Sequence, residues 1–87
     1  MNMATKKELR AKGRKISATV WLGKSELDFK IIAEIRKQLK TKKLVKIKML
    51  KSFLESHDKK EVALELAEKC KADLIDLVGF VVVLHRR

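Results

Sequence analysis

A chain of 87 residues with a net charge of +11, 46% hydrophobic and 38% charged, has the composition of one small globular domain spanning residues 1–87, not of a disordered tail. Its single cysteine excludes an internal disulfide, no apolar run reaches the roughly 18 residues of a membrane span, and residues 1–10 lack the apolar core of a secretory signal. A cytoplasmic monomer with no membrane contact is the expectation.

The charge is unevenly divided. Residues 1–51 carry a net +12 and residues 52–87 a net −1. A lysine coat that served only solubility would be spread along the chain, whereas a face that meets a polyanion concentrates it. Nucleic acid is therefore the expected partner class.

Thr5 and Glu8 have the spacing of a capping box and open a short helix over 5–15. Leu9, Gly13 and Ile16 fall on one face of it, and Lys7, Arg10 and Arg14 form a basic stripe on another. Residues 19–22 are β-branched and aromatic and read as a first strand. Gly23, Lys24 and Ser25 follow as a turn. Ser25 and Asp28 have the spacing of a second capping box, and Asp28 is itself placed as an alternative cap, for a second helix that runs to about Lys40. Leu27, Ile31, Ile35 and Leu39, flanked by Ile32, form its buried stripe, with Lys30, Lys37 and Lys40 opposite.

Residues 44–50 alternate, with Val45, Ile47 and Met49 on one face and Lys46 and Lys48 on the other. This predicts a strand with one buried face and one wet, basic face. Asp58 opens a third helix that ends near Lys71. Its apolar face is Val62, Leu66 and Cys70 with Ala63 and Ala67, and its far side is an acidic stripe of Glu61, Glu65 and Glu68. Leu64 fits neither stripe. Residues 74–78 and 81–84 are two strands around Gly79 and Phe80, with glycine where a type II′ hairpin needs it. Val81, Val82, Val83 and Leu84 are apolar on both faces, so this strand is expected to be covered on both sides. The order α-β-α-β-α-β-β gives an α/β fold with a mixed four-stranded sheet and three helices. Two strand–helix–strand units are expected to pair in parallel, and the final hairpin adds an antiparallel strand.

This pattern resembles the CRM domain, whose single-domain bacterial form is the YhbY family. The likeness is carried by Lys6-Lys7-Glu8-Leu9-Arg10, by Val20-Trp21-Leu22-Gly23-Lys24, by Leu44-Val45-Lys46-Ile47-Lys48, and by Leu77-Val78-Gly79-Phe80-Val81-Val82-Val83-Leu84 with Arg86-Arg87 after it. The resemblance implies a two-layer α/β fold similar to the C-terminal domain of translation initiation factor 3. It also implies binding to structured RNA, specifically ribosomal RNA of the large-subunit precursor during assembly. The chain departs from the family pattern at Glu26, where the second glycine of a Gly-x-x-Gly loop would stand. It departs also at Ala18, Asp28, Lys71, Phe80 and His85.

The expected RNA-binding residues are Gly23, Lys24 and Ser25 in the loop, Lys7, Arg10 and Arg14 on the first helix, Lys30 and Lys37 on the second helix, Lys46 and Lys48 on the second strand, and Arg86 and Arg87 at the end. For the loop, an ordinary strand-to-helix turn is the plainer local reading; the charge around it and the family pattern favour phosphate contact. Trp21 is expected to pack rather than stack on a base, because of its size and apolar body. Phe53 is expected in a loop, buried under the third helix.

His57, His85 and Cys70 make no zinc site, and no P-loop, nucleophile elbow or paired-carboxylate motif is present. No enzyme, cofactor, metal or small-molecule substrate is expected. The reading from a different class is a protein-interaction subunit of a ribonucleoprotein complex, docking through the acidic stripe of the third helix.

Overall fold

The computed structural model describes residues 5–23 and 27–87. In chain order the elements are α1 (Lys6–Lys15), β1 (Val20–Leu22), α2 (Phe29–Lys42), β2 (Leu44–Met49), α3 (Lys51–Leu54), α4 (Lys59–Cys70), β3 (Ala72–Val78) and β4 (Val81–Arg86).

Three helices start on the side chains their sequences nominate. Thr5 Oγ1 accepts from the Glu8 amide at 3.2 Å, Asp28 Oδ1 from the Ile31 amide at 3.0 Å, and Asp58 Oδ2 from the Glu61 amide at 3.1 Å. Each satisfies one otherwise orphaned N–H of a first turn, a contribution of about 1 kcal/mol. The helices stop at residues that leave helical geometry. Lys43 and Lys71 both have positive φ, 65° and 53°, and their amides return to Leu39 and to Ala67 and Glu68 respectively.

The sheet order is β1-β2-β4-β3. β1 and β2 pair in parallel, as expected for the first strand–helix–strand unit. The second unit differs: β3 runs in the same direction as β2 but does not pair with it, because β4 lies between them and is antiparallel to both. In that central place β4 is covered on both faces, with Val82 and Leu84 buried in the main core and Val83 buried against α1. The connecting turn has positive φ at Gly79 and not at Phe80, the type II′ pattern.

One face of the sheet carries Val20, Leu22, Val45, Ile47, Met49, Val82, Leu84 and Ala72 into the main core against α2 and α4. A one-turn helix, α3, was not expected. It turns Phe53 inward to 1% exposure, and the ring stacks on His57 at 4.0 Å between centroids. The other face is partly covered by α1, whose Leu9 packs with Ile75, Val83 and Leu44 as a small second core. The two-layer body of sheet with α2 and α4 thus gains a partial third layer.

Candidate nucleic-acid interface

The interface is built on the α1 side of the sheet. Strand alternation and register place Leu44, Lys46 and Lys48 of β2 on this face, with Val81, Val83 and His85 of β4 beside them. α1 is seated on it by Leu9 and Gly13, both buried. Two side chains from the nominated basic set fasten it there. Arg10 Nε donates to the Ile75 carbonyl at 3.1 Å, at the irregularity between Leu74 and Asp76. Lys46 Nζ donates to the Ile16 carbonyl at 3.2 Å, just past the end of the helix.

Grooves flank the seated helix. One, of about 540 Å³, is lined by Lys12, Lys15, Lys42 and Lys46 together with Ile16, Ser17, Thr19 and Leu44, and no carboxylate enters its lining. Four ammonium groups around one concavity repel one another unless an anion or counterions sit among them. A groove of about 290 Å³ on the β3 side is lined by Arg14, Lys46 and Asp76 over Gly13, Val78, Val81 and Val83. Among the described residues the ion pairs are Lys69 with Glu65 and Arg87 with Asp73, so neither groove is closed by one.

The nominated residues divide between places. Lys7, Arg10, Arg14, Lys46 and Lys48 share the α1 side, with Lys7, Arg14 and Lys48 exposed. Lys30 and Lys37 are exposed on α2, in the layer across the sheet. Arg86 Nη1 donates to the Lys40 carbonyl in the last turn of α2 at 3.1 Å, and Arg87 meets Asp73 at 3.2 Å. Gly23 closes β1, while Lys24, Ser25 and Glu26 lie outside the described residues. Gly23 itself has no positive φ, and among the described residues a Cβ built on it would touch only Leu50 Cδ1, at 3.7 Å.

Reading the residues alone missed Lys12, Lys15 and Lys42. The Lys12 and Lys15 spacing is visible in the sequence, but nothing local places it beside the end of α2. The expectation for Trp21 is corrected: it is 57% exposed, because it alternates with buried Val20 and Leu22 and α1 does not reach β1. The acidic stripe of α4 lies across the sheet from α1, with Leu64 63% exposed beside it.

The remaining chemistry-bearing groups serve the fold. His57 Nδ1 lies 2.9 Å from the Phe53 carbonyl, which can only accept, so the proton sits on Nδ1. Cys70 is buried in the α4 face. Among the described residues no group of three or more His, Cys, Asp or Glu is gathered as a metal site would require, and no helix is long and apolar enough to cross a membrane.

Residues 1–86 match the family model of the CRS1 / YhbY (CRM) domain. Over 81 residues the chain is 41% identical to "Probable RNA-binding protein MJ0652" of Methanocaldococcus jannaschii, covering 93% of this chain and 60% of that protein. The chain thus spans 60% of the length of this curated relative. The solution structure of the hypothetical protein SAV1595 from Staphylococcus aureus, for which RNA binding is proposed, superposes with a TM-score of 0.79 at 27% identity, covering 98% of this chain and 90% of that one.

Proposed function

This chain belongs to the CRS1 / YhbY (CRM) domain family, and on that premise we propose that it binds structured RNA, namely ribosomal RNA of the large-subunit precursor, as a monomer acting during assembly. The observation that carries the reading is the carboxylate-free groove of Lys12, Lys15, Lys42 and Lys46 beside α1, in the half of the chain that holds the net +12. Mobile ammonium and guanidinium groups over a shallow surface suit phosphate contact and shape recognition of an RNA helix. Gly23 supports a contribution from the loop. Among the described residues nothing around Gly23 demands a glycine, which suits close approach of its backbone to phosphate, with Lys24 and Ser25 next in the sequence.

The test is an anisotropy titration with structured rRNA fragments across a salt series. About six phosphate contacts give a log–log slope of roughly −4 to −5. A Lys12/Lys15/Lys42→Ala variant empties the groove of its free cations, spares Arg10 and Lys46, which hold α1 in place, and should flatten the slope by roughly 2 to 3. Unchanged affinity in that variant would rule out this face. Equal affinity for duplex DNA would rule out RNA selectivity.

A second reading has one observation in its favour. Leu64 is exposed beside Glu61, Glu65 and Glu68 on α4, as a protein-docking face would have it. A Leu64→Lys variant that left RNA affinity intact but lost a ribonucleoprotein partner in co-sedimentation would establish it.

A further inference from the structure

Across the uncovered end of the α1-side face, Trp21, Lys48, Val81 and Val78 stand in one row through all four strands, each the register partner of the next. Trp21 and Val78 are exposed, and so is Lys48 between them. The hairpin beside the row is tied to β2 by the Phe80 carbonyl, which accepts from the Met49 amide at 2.7 Å. A tryptophan left open to water on an edge strand, with its neighbours apolar or cationic, is a costly surface unless something covers it.

We infer that this row is a stacking platform for unpaired nucleotides of the bound RNA, with a base on the Trp21 indole and the adjoining phosphates on Lys48 and Arg14. The inference rests on the RNA-binding reading and adds to it the kind of RNA: one with a loop, bulge or single-stranded flank beside its helix, not a fully paired duplex. Charge decides between occupants. A second copy of the chain related by a two-fold axis over this row would bring Lys48 toward its own symmetry mate, and an apolar protein segment would leave Lys48 facing no counter-charge. A nucleotide presents both a flat apolar face and an anion, and the row presents the complement of each.

Trp21 is the only tryptophan in the chain, so its fluorescence reports the contact directly. The intact chain is titrated with an RNA hairpin carrying an unpaired loop and, separately, with the same stem as a blunt duplex. The loop RNA should quench Trp21 in step with binding, and the duplex should bind with little quenching. Trp21→Thr, which keeps strand propensity, should weaken the loop RNA by about tenfold or more and leave the duplex unchanged, and Trp21→Phe should restore most of the loss. Binding of loop RNA without quenching, or an equal loss on both RNAs, overturns the platform while leaving RNA binding standing. Binding of neither RNA overturns both readings. Sedimentation showing a dimer that Trp21→Thr dissolves assigns the row to self-association and overturns the platform.

Discussion

Gly13 of α1 lies directly against Val83 of β4: a Cβ on Gly13 would stand 3.1 Å from one Val83 methyl and 3.2 Å from the other. A glycine in mid-helix costs about 1 kcal/mol of helix propensity. Here it is what allows the helix backbone down onto the sheet, so that Leu9 reaches Ile75 and Val83. The contact joins packing to function, since the cationic grooves exist only while α1 is seated.

Enlarging that position should lift the helix. Gly13→Leu is expected to destabilise the protein by roughly 1–3 kcal/mol, read from the midpoint of urea unfolding. It should also weaken RNA binding at temperatures where the rest of the domain is still folded. Full retention of both would mean that α1 is not held by this contact.

Gly23 should behave in the opposite way. Its backbone has no positive φ and its Cβ position is open among the described residues, so Gly23→Ala should leave stability level or raise it by about 0.4–1 kcal/mol. RNA affinity should nevertheless fall, because a methyl group now stands where the backbone approaches phosphate. If affinity is untouched, the loop is only a connector.

Lys71 pays a conformational cost that glycine would not. It ends α4 at φ 53° and ψ 48°, the left-handed region. Lys71→Gly should raise stability by roughly 0.5–1 kcal/mol, or several degrees in Tm, with unchanged RNA affinity because α4 lies across the sheet from α1. A lower Tm would show that the lysine contributes more than its backbone strain removes.

Cys70 supplies a pH dependence. Burial pushes its thiol up to about 11 from an ordinary value of 9.0, and the positive charge of Arg36 offsets part of that rise. The folded state therefore keeps the proton over a range in which the unfolded chain loses it. The stability this group contributes is whole below pH 9 and declines between pH 9 and 11. Comparison with Cys70→Ala isolates the effect from lysine titration: the wild type should lose more stability over that window. At pH 8 the native thiol should resist iodoacetamide, and denaturant should expose it.

Lys37 provides a control for the interface. It lies on α2, across the sheet from the α1 grooves. Lys37→Ala should leave the salt slope of RNA binding unchanged, whereas Arg14→Ala with Lys48→Ala should flatten it by roughly 1.5 to 2. Equal effects would mean that the RNA wraps both layers.

Much of the fold was legible because its causes are local. The caps at Thr5, Asp28 and Asp58 bond three residues ahead, and the alternation of Val45, Ile47 and Met49 with Lys46 and Lys48 states which face is dry. The turn at Gly79 follows from one residue's freedom to take positive φ. The resemblance to the CRS1 / YhbY (CRM) domain family was also readable, since the four segments that carry it are short runs of the linear chain.

The cationic groove was not readable in this way. Lys12 and Lys15 meet Lys42 only because α1 settles on the face opposite α2, and their encounter depends on no residue near either in sequence. The place of β4 between β2 and β3 is likewise a matter of pairing between strands distant in sequence, which only the assembled sheet displays. Trp21 shows the limit most directly. The sequence by itself determined that it sits on a strand between two inward-facing neighbours, and its apolar body argued for burial. Tertiary structure decided otherwise: α1 is ten residues long and anchored toward β3, β1 is an edge strand, and among the described residues none covers the indole, which is 57% exposed.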